Sequence, residues 1–324
     1  MVDARGLWFV APGHVEWRPA ELAPPAPGEL LVRTSFSGIS SGTERLAYRG
    51  ELDPNVPIDE TIGALGGTFR YPFQYGYSCV GVVEESRADV PVGTLVFAFQ
   101  PHKDRFVAGA GDVVPLPHVE PREATLYPLV ETALQIALDA GEVFAETVVV
   151  FGLGAVGLLT ALMLRRAGAH PVAVEPLAWR RQAAEALGVG AVDGVAALAV
   201  GGVSLVIEAS GNPAVLAAAL PLLRHEGTAL VASWYGTKEV PLPLGGEFHR
   251  RRLTIRSTQV STIPAALSGR WDRARRRRAA VDLLAELPLR ALATHTFAWA
   301  DAADAFRAIS DRPEGLVHAA LWYE

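Results

Sequence analysis

With 324 residues, the chain is long for one ordinary domain and comfortable for two. Half of its residues are hydrophobic and a fifth are charged, which excludes a disordered chain, and a net charge of −6 argues against a general nucleic-acid binder. A single cysteine, Cys79, excludes an internal disulfide and a multi-cysteine zinc lobe, so a reducing cytoplasm is the expected compartment.

The opening "MVDARGLWFVAPG" carries Asp3 and reaches Pro12 without a long apolar stretch, so no secretory signal is read there. From Leu7 to about Pro117 the pattern is short and strand-like, with turns at "APG" (11–13), "PPAPGE" (24–29) and "PVGT" (91–94). The Pro- and Gly-rich stretch 49–76 interrupts this β-rich region. Its aromatics Phe69, Tyr71, Phe73 and Tyr75 suggest a lid or wall for a bulky, partly apolar substrate. From Ala124 the texture changes to alternating helix and strand: "ATLYPLVETALQIALDAG", "TVVVFG", "AVGLLTALMLRRAG", "HPVAVEP", "RRQAAEALG", "SLVIEASG", the helix "PAVLAAALPLLRHEG" and "ALVASWYG". Such alternation with short Gly-containing connections predicts a parallel sheet covered on both faces.

The stretch Thr147–Leu164 is almost apolar enough to raise the question of a membrane span. Its glycines answer otherwise. Gly152, Gly154 and Gly157 form G-x-G-x-x-G after the β-branched run Val148–Val150 and before a run of helix formers, which predicts strand, tight turn and helix. In such a unit the first glycine permits the turn, the second admits a pyrophosphate and the third lets helix and strand pack. Gly152, Leu153, Gly154, Ala155, Val156 and Gly157 are therefore candidate cofactor contacts, with phosphates at the helix N-terminus. Glu175 ends the next strand 23 residues after Gly152, where a carboxylate accepts adenosine ribose hydroxyls and repels a 2′-phosphate. NAD is favoured over NADP, although Arg180 and Arg181 follow closely and pull the other way. Ser210 and Gly211, in "IEASGNP", complete the candidate set.

With these elements in place, the chain resembles the medium-chain dehydrogenase/reductase superfamily. The supporting stretches are "GELLVRTSFSGISSGTE" (28–44), "YGYSCVGVV" (75–83), "VPVGTLVF" (90–97), "FGLGAVG" (151–157), "IEASGNP" (207–213) and "DAADAFRAI" (301–309). The "SGISSGTERL" region looks closest to a bacterial branch that includes bacteriochlorophyllide a dehydrogenase. The resemblance implies an α/β chain: a GroES-like β-barrel catalytic domain at 1–133 and 272–324, and a Rossmann doubly wound parallel-sheet domain at 134–271. It also implies a catalytic cleft between the domains and a homodimer joined near "LTIRSTQV" (253–260).

Zinc-dependent members place a cysteine in G-I-C-G-T/S-D, a histidine in G-H-E, and a third Cys or Glu before the nucleotide domain. Here Ser40 and Ser41 stand in the first position, Tyr77 and Ser78 in the second, and Tyr127, Pro128 or Glu131 in the third. A hydroxyl-rich set is a poor zinc site, so no catalytic zinc is expected. Another group must then manage the proton that accompanies hydride transfer. Tyr77 is the first candidate, given neighbouring positive charge such as oxidised nicotinamide or Lys103 to lower its pKa. Ser40, Ser41 or Thr43 could hydrogen-bond the same oxygen, Glu44 could support them, Glu131 could orient substrate or act as base, and His102 is the best-placed imidazole. Each has a bland alternative: Tyr77 and Ser78 as packed strand residues, Thr43 and Glu44 as a helix start, His102 as a surface loop residue. The basic run 270–278 reads as a solvated helix turn, with an anionic substrate or partner as the alternative.

Three functions follow. The first is a zinc-independent NAD(H)-linked oxidoreductase interconverting a secondary alcohol and its ketone. The second is an NADPH-dependent enone or quinone reductase, and the third is a dinucleotide-binding protein without catalysis. A small-molecule substrate is expected, and neither nucleic acid nor membrane.

Overall fold

The computed structural model describes every residue except Pro117 and His118, so the end of the strand-like region near Pro117 lies outside the described residues. In chain order the elements are β1 (Val2–Ala11), β2 (His14–Leu22), β3 (Glu29–Ile39), α1 (Thr43–Arg49), β4 (Cys79–Ser86), β5 (Leu95–Ala98), β6 (Arg105–Gly109) and β7 (Val113–Pro115). There follow α2 (Pro121–Ala124), α3 (Tyr127–Ala140), β8 (Thr147–Phe151), α4 (Ala155–Arg166), β9 (His170–Val174), α5 (Ala178–Ala186), β10 (Gly190–Val192), β11 (Val203–Glu208), α6 (Pro213–Ala219) and β12 (Leu223–Val231). The remainder is β13 (Thr254–Ser257), α7 (Arg273–Glu286), α8 (Leu289–Leu292), β14 (Ala293–Ala298), α9 (Ala302–Asp311) and β15 (His318–Trp322). The chain divides into two compact units, Met1–Pro128 with Val281–Glu324, and Leu129–Ala280.

The first unit is built on a seven-stranded sheet. Its path runs β14-β15-β3-β4-β5-β7, with β6 paired to β3, and the β1–β2 hairpin forms a separate two-stranded sheet. The predicted turn at 11–13 joins β1 to β2. β15 runs antiparallel to β3, pairing Ala320 with Gly38, so the last strand lies inside the sheet rather than at its edge.

The stretch 49–76 departs from its expected role. Leu52, Ile58, Leu65, Phe69, Phe73 and Tyr75 are buried in the core with Phe9, Tyr48 and Phe306. Phe73 stacks on Phe9 at 5.3 Å between ring centroids, and Phe69 meets Tyr75 edge-on at 5.2 Å. The segment is thus core filling, not an aromatic wall for substrate. Each such ring contributes about 1.5–3 kcal/mol by burial, more than a solvent-facing lid would supply.

The second unit holds a six-stranded, all-parallel sheet in the order β10-β9-β8-β11-β12-β13. Thr147–Leu164 resolves into β8, a turn and α4, and no helix among the described residues is long and apolar enough to cross a membrane. β8 lies between β9 and β11, so the chain adds β9 and β10 on one side of it and then β11, β12 and β13 on the other. Two expectations need correction here. The helix expected over "PAVLAAALPLLRHEG" ends at Ala219, because Pro221 enters a short 3-10 turn and Leu223 already pairs with Val203. The basic run is not uniformly solvated either, since Arg276 on α7 is only 2% exposed.

Candidate active site

In the second unit, the turn after β8 has the shape a dinucleotide needs. Gly152 has φ of +90°, a conformation that L side chains avoid, and a side-chain carbon there would lie 2.7 Å from the Ser210 Cα. A carbon on Gly157 would lie 1.9 Å from the Gly152 carbonyl oxygen, so α4 packs directly on the turn. Gly154, by contrast, faces open space, with nothing within 4 Å of such a carbon. Free backbone N–H groups and the dipole at the N-terminus of α4 favour an anion there.

Glu175 follows β9 and is 3% exposed. Its Oε2 accepts from the Leu153 N–H at 2.9 Å and its Oε1 from the Leu177 N–H at 3.1 Å. Lone pairs remain on both oxygens for ribose hydroxyls. Arg180 reaches to 3.6 Å of Glu175 and crosses Trp179 at 5.0 Å from the ring centroid, while its buried Nε has no partner among the described residues. Arg181 instead donates to the Glu175 and Pro176 carbonyls at 2.8 Å each. These features fit an adenosine dinucleotide.

At the end of β11, Glu208 is fully buried and accepts from the Ser210 N–H at 2.8 Å, the Ser210 hydroxyl at 2.5 Å and the Tyr235 hydroxyl at 2.6 Å. The Ser233 hydroxyl accepts from the Gly211 N–H at 2.9 Å. Glu208, Ser233 and Tyr235 escaped the sequence reading. The signal for Glu208 was present: an acid ending a parallel strand, as at Glu175.

In the first unit, hydroxyl groups gather at the turn between β3 and α1. The side chains of Ser40 and Thr43 lie near enough to Tyr77 to favour its ionised form, and the Ser40 hydroxyl accepts from the Thr43 N–H at 3.3 Å. Glu44 lies beneath, fully buried, accepting from the Ser40 N–H at 2.9 Å. Its other oxygen meets His102 Nε2 at 2.7 Å, while His102 Nδ1 meets the Ser37 hydroxyl at 2.7 Å and Ser37 meets the Tyr323 hydroxyl at 2.9 Å. His102 is therefore no surface residue. With both ring nitrogens occupied and no exposure, it supports the turn rather than presenting a base to substrate.

Tyr77 also differs from expectation. Burial and the Glu44 carboxylate push its pKa up to about 12, against the opposing effect of the nearby Ser40 and Thr43 side chains, and Lys103 supplies no offsetting charge. The phenol is a proton donor at neutral pH. Glu131, in the second unit, is 3% exposed and ion-paired to Arg276 at 3.1 Å, which removes it as a free base. Of the three candidates for the third ligand position, Tyr127 shares the first unit with Ser78, whose hydroxyl donates to the neighbouring Thr125 carbonyl at 2.7 Å. Ser40, Ser41, Tyr77 and Ser78 offer hydroxyl oxygens alone, a donor set that does not fit zinc. Among the described residues, no group of three or more His, Cys, Asp or Glu side chains could hold a metal ion.

Residues 155–277 match the family described as zinc-binding dehydrogenase. Over 99% of both chains, the fold matches that of a protein described as a short chain alcohol dehydrogenase from Escherichia coli CFT073, complexed with NADH, at a TM-score of 0.78 and 17% identity. The family match therefore lies within the second unit, and the fold of the whole chain is one that alcohol dehydrogenases share. Its two units have GroES-like and Rossmann folds. A putative zinc-binding dehydrogenase from Sinorhizobium meliloti 1021, bound to NADP, shares the fold over 99% of this chain and 100% of its own at a TM-score of 0.76 and 20% identity. In sequence, the chain is 31% identical over 186 residues to 2-desacetyl-2-hydroxyethyl bacteriochlorophyllide A dehydrogenase of Cereibacter sphaeroides, covering 51% of this chain and 54% of that one. The chain thus spans about half the length of the first curated relatives it matches. It is 26% identical to D-guloside 3-dehydrogenase of Escherichia coli K12, over 76% of this chain and 78% of the relative.

Proposed function

We propose that the protein is a zinc-independent, NAD(H)-linked oxidoreductase that interconverts a secondary alcohol and its ketone, working in the cytoplasm as a homodimer. The observation that carries the reading is the turn at Gly152–Gly157, with open space at Gly154 and the Glu175 carboxylate braced behind Leu153. Relatives named as dehydrogenases of a hydroxyethyl group and of a sugar ring position support an alcohol or ketone as substrate.

When bound, the reduced cofactor supplies the hydride that a carbonyl carbon accepts. The chain's own task is then to place a proton on the carbonyl oxygen. Tyr77, held neutral beside Ser40 and Thr43, is the donor, and those two hydroxyls stand close enough to orient it. Glu44 and His102 hold the turn that carries Ser40 and Thr43. Gly152, Leu153, Gly154, Ala155, Val156, Gly157, Glu175, Arg180, Ser210 and Gly211 line the cofactor's place.

The test is the thermal midpoint of the purified, metal-analysed protein with NADH and, separately, with NADPH. At about 100 times its dissociation constant, a ligand stabilises by about 2.7 kcal/mol, which is readily seen. A rise with NADH in zinc-free protein supports the reading. A rise with NADPH alone favours an enone or quinone reductase, and stoichiometric zinc defeats the metal-free chemistry.

A further inference from the structure

Among the described residues, four glutamates are buried almost completely: Glu44, Glu131, Glu175 and Glu208. Three face a basic side chain, His102, Arg276 and Arg180 respectively. Glu208 does not. Its contacts are hydrogen-bond donors, namely the Ser210 N–H, the Ser210 hydroxyl and the Tyr235 hydroxyl, and among the described residues no cation pairs with it. A donor-only shell of this kind suits an ionised carboxylate, and a buried charge without a counter-charge is costly to keep. A cationic group bound nearby would offset that cost.

The position of Glu208 says what that is. It ends β11, in register with Phe151 of β8 and Val231 of β12, and Phe151 directly precedes Gly152. Ser210, which Glu208 holds by two hydrogen bonds, is the residue against which Gly152 packs. In a doubly wound sheet the dinucleotide lies beyond the strand C-termini at the switch point, here between β8 and β11. Glu175 marks the β9 side as the adenosine side, which leaves the β11 and β12 side to the nicotinamide. The oxidised ring is a cation and the reduced ring is neutral.

We propose that Glu208 acts as a fixed counter-charge that makes the protein bind the oxidised nicotinamide cofactor in preference to the reduced one. The proposal rests on the dinucleotide reading given above. Tyr235 maintains the carboxylate: burial and its hydrogen bond to Glu208 push the phenol pKa upward, so it remains a donor. Charge acts strongly here because the carboxylate is shielded from water.

Calorimetric titration with NAD+ and with NADH, on the wild type and on Glu208→Gln, measures the ratio of the two dissociation constants. Glu208→Gln is expected to weaken NAD+ relative to NADH about tenfold, the same size as an ordinary one-charge effect on a binding equilibrium. Tyr235→Phe, which keeps the charge, is expected to leave the ratio within about twofold. Should Glu208→Gln fail to fold, Tyr235→Lys sets an ammonium against the carboxylate and carries the same expectation as the glutamine variant. A ratio unchanged by loss or compensation of the charge, with both cofactors still bound, overturns the proposal, as does a Tyr235→Phe shift as large as that of Glu208→Gln. A wild type that binds neither cofactor overturns the dinucleotide reading itself, and this proposal with it.

Discussion

His318 is a buried imidazole whose Nε2 meets the Thr125 hydroxyl at 2.9 Å, and that hydroxyl already donates to the Arg122 carbonyl at 2.6 Å. The ring therefore donates through Nε2 and is held neutral, and burial lowers its pKa to about 4. Between pH 6.5 and 4 the unfolded chain binds a proton that the native protein refuses. The stabilisation is complete above pH 6.5 and is lost as pH falls, by about 3 kcal/mol in all. Urea titrations of His318→Gln should show a flatter acid limb over that interval, and an unchanged slope would remove His318 from the account. Tyr77→Phe is expected to lower turnover about 10²–10⁴-fold, the usual range for a lost proton donor, while leaving the NADH-induced thermal shift intact. Full activity in that variant would return the proton to another group. Tyr77, Ser40 and Thr43 were legible as a cluster because they occupy known positions of a recognisable motif. The role of His102 was not legible, because its partners Glu44 and Ser37 lie 58 and 65 residues away in sequence.

The Gly-rich turn shows how far local pattern reaches at the level of strands and helices. β-branched residues, three glycines and a run of helix formers specify β8, the turn and α4 with little help from the rest of the chain. Gly157→Ala places a carbon 1.9 Å from a backbone oxygen that cannot yield, and is expected to abolish the thermal response to NADH. A normal response would show that α4 can lift off the turn. Pattern misled at 49–76, where aromatic content alone does not say whether rings face solvent or core. It also missed the ion pair between α3 and α7: Arg276 contacts Glu131 at 3.1 Å and Gln135 at 2.5 Å, one helical turn apart. Arg276→Ala leaves a buried carboxylate unpaired and should cost about 3–5 kcal/mol in chemical denaturation, whereas Arg276→Met with Glu131→Leu should cost far less. A loss below about 1 kcal/mol for the single variant would mean that water reaches the site.

For the molecule as a whole, alternation of β and α elements predicts the parallel sheet, but nothing in the sequence of β15 announces which strands it joins. That information is long-range: β15 lies between β14 and β3, and Tyr323 adds its hydroxyl to the buried chain through Ser37. Deleting residues 318–324 is expected to abolish near-ultraviolet dichroism and hydrogen-exchange protection of the β3–β7 sheet. Retained protection there would show that the sheet closes without β15.

During synthesis, the ribosome delivers β3 long before β15, with the whole of Leu129–Ala280 between them. Unit Leu129–Ala280 has its whole sequence available while the first unit is still missing a strand from the middle of its sheet. The first unit therefore cannot complete its sheet before the second unit's sequence has emerged. The early strands must wait with unsatisfied edges, and a chaperone that shields them until translation ends would raise the yield of native protein.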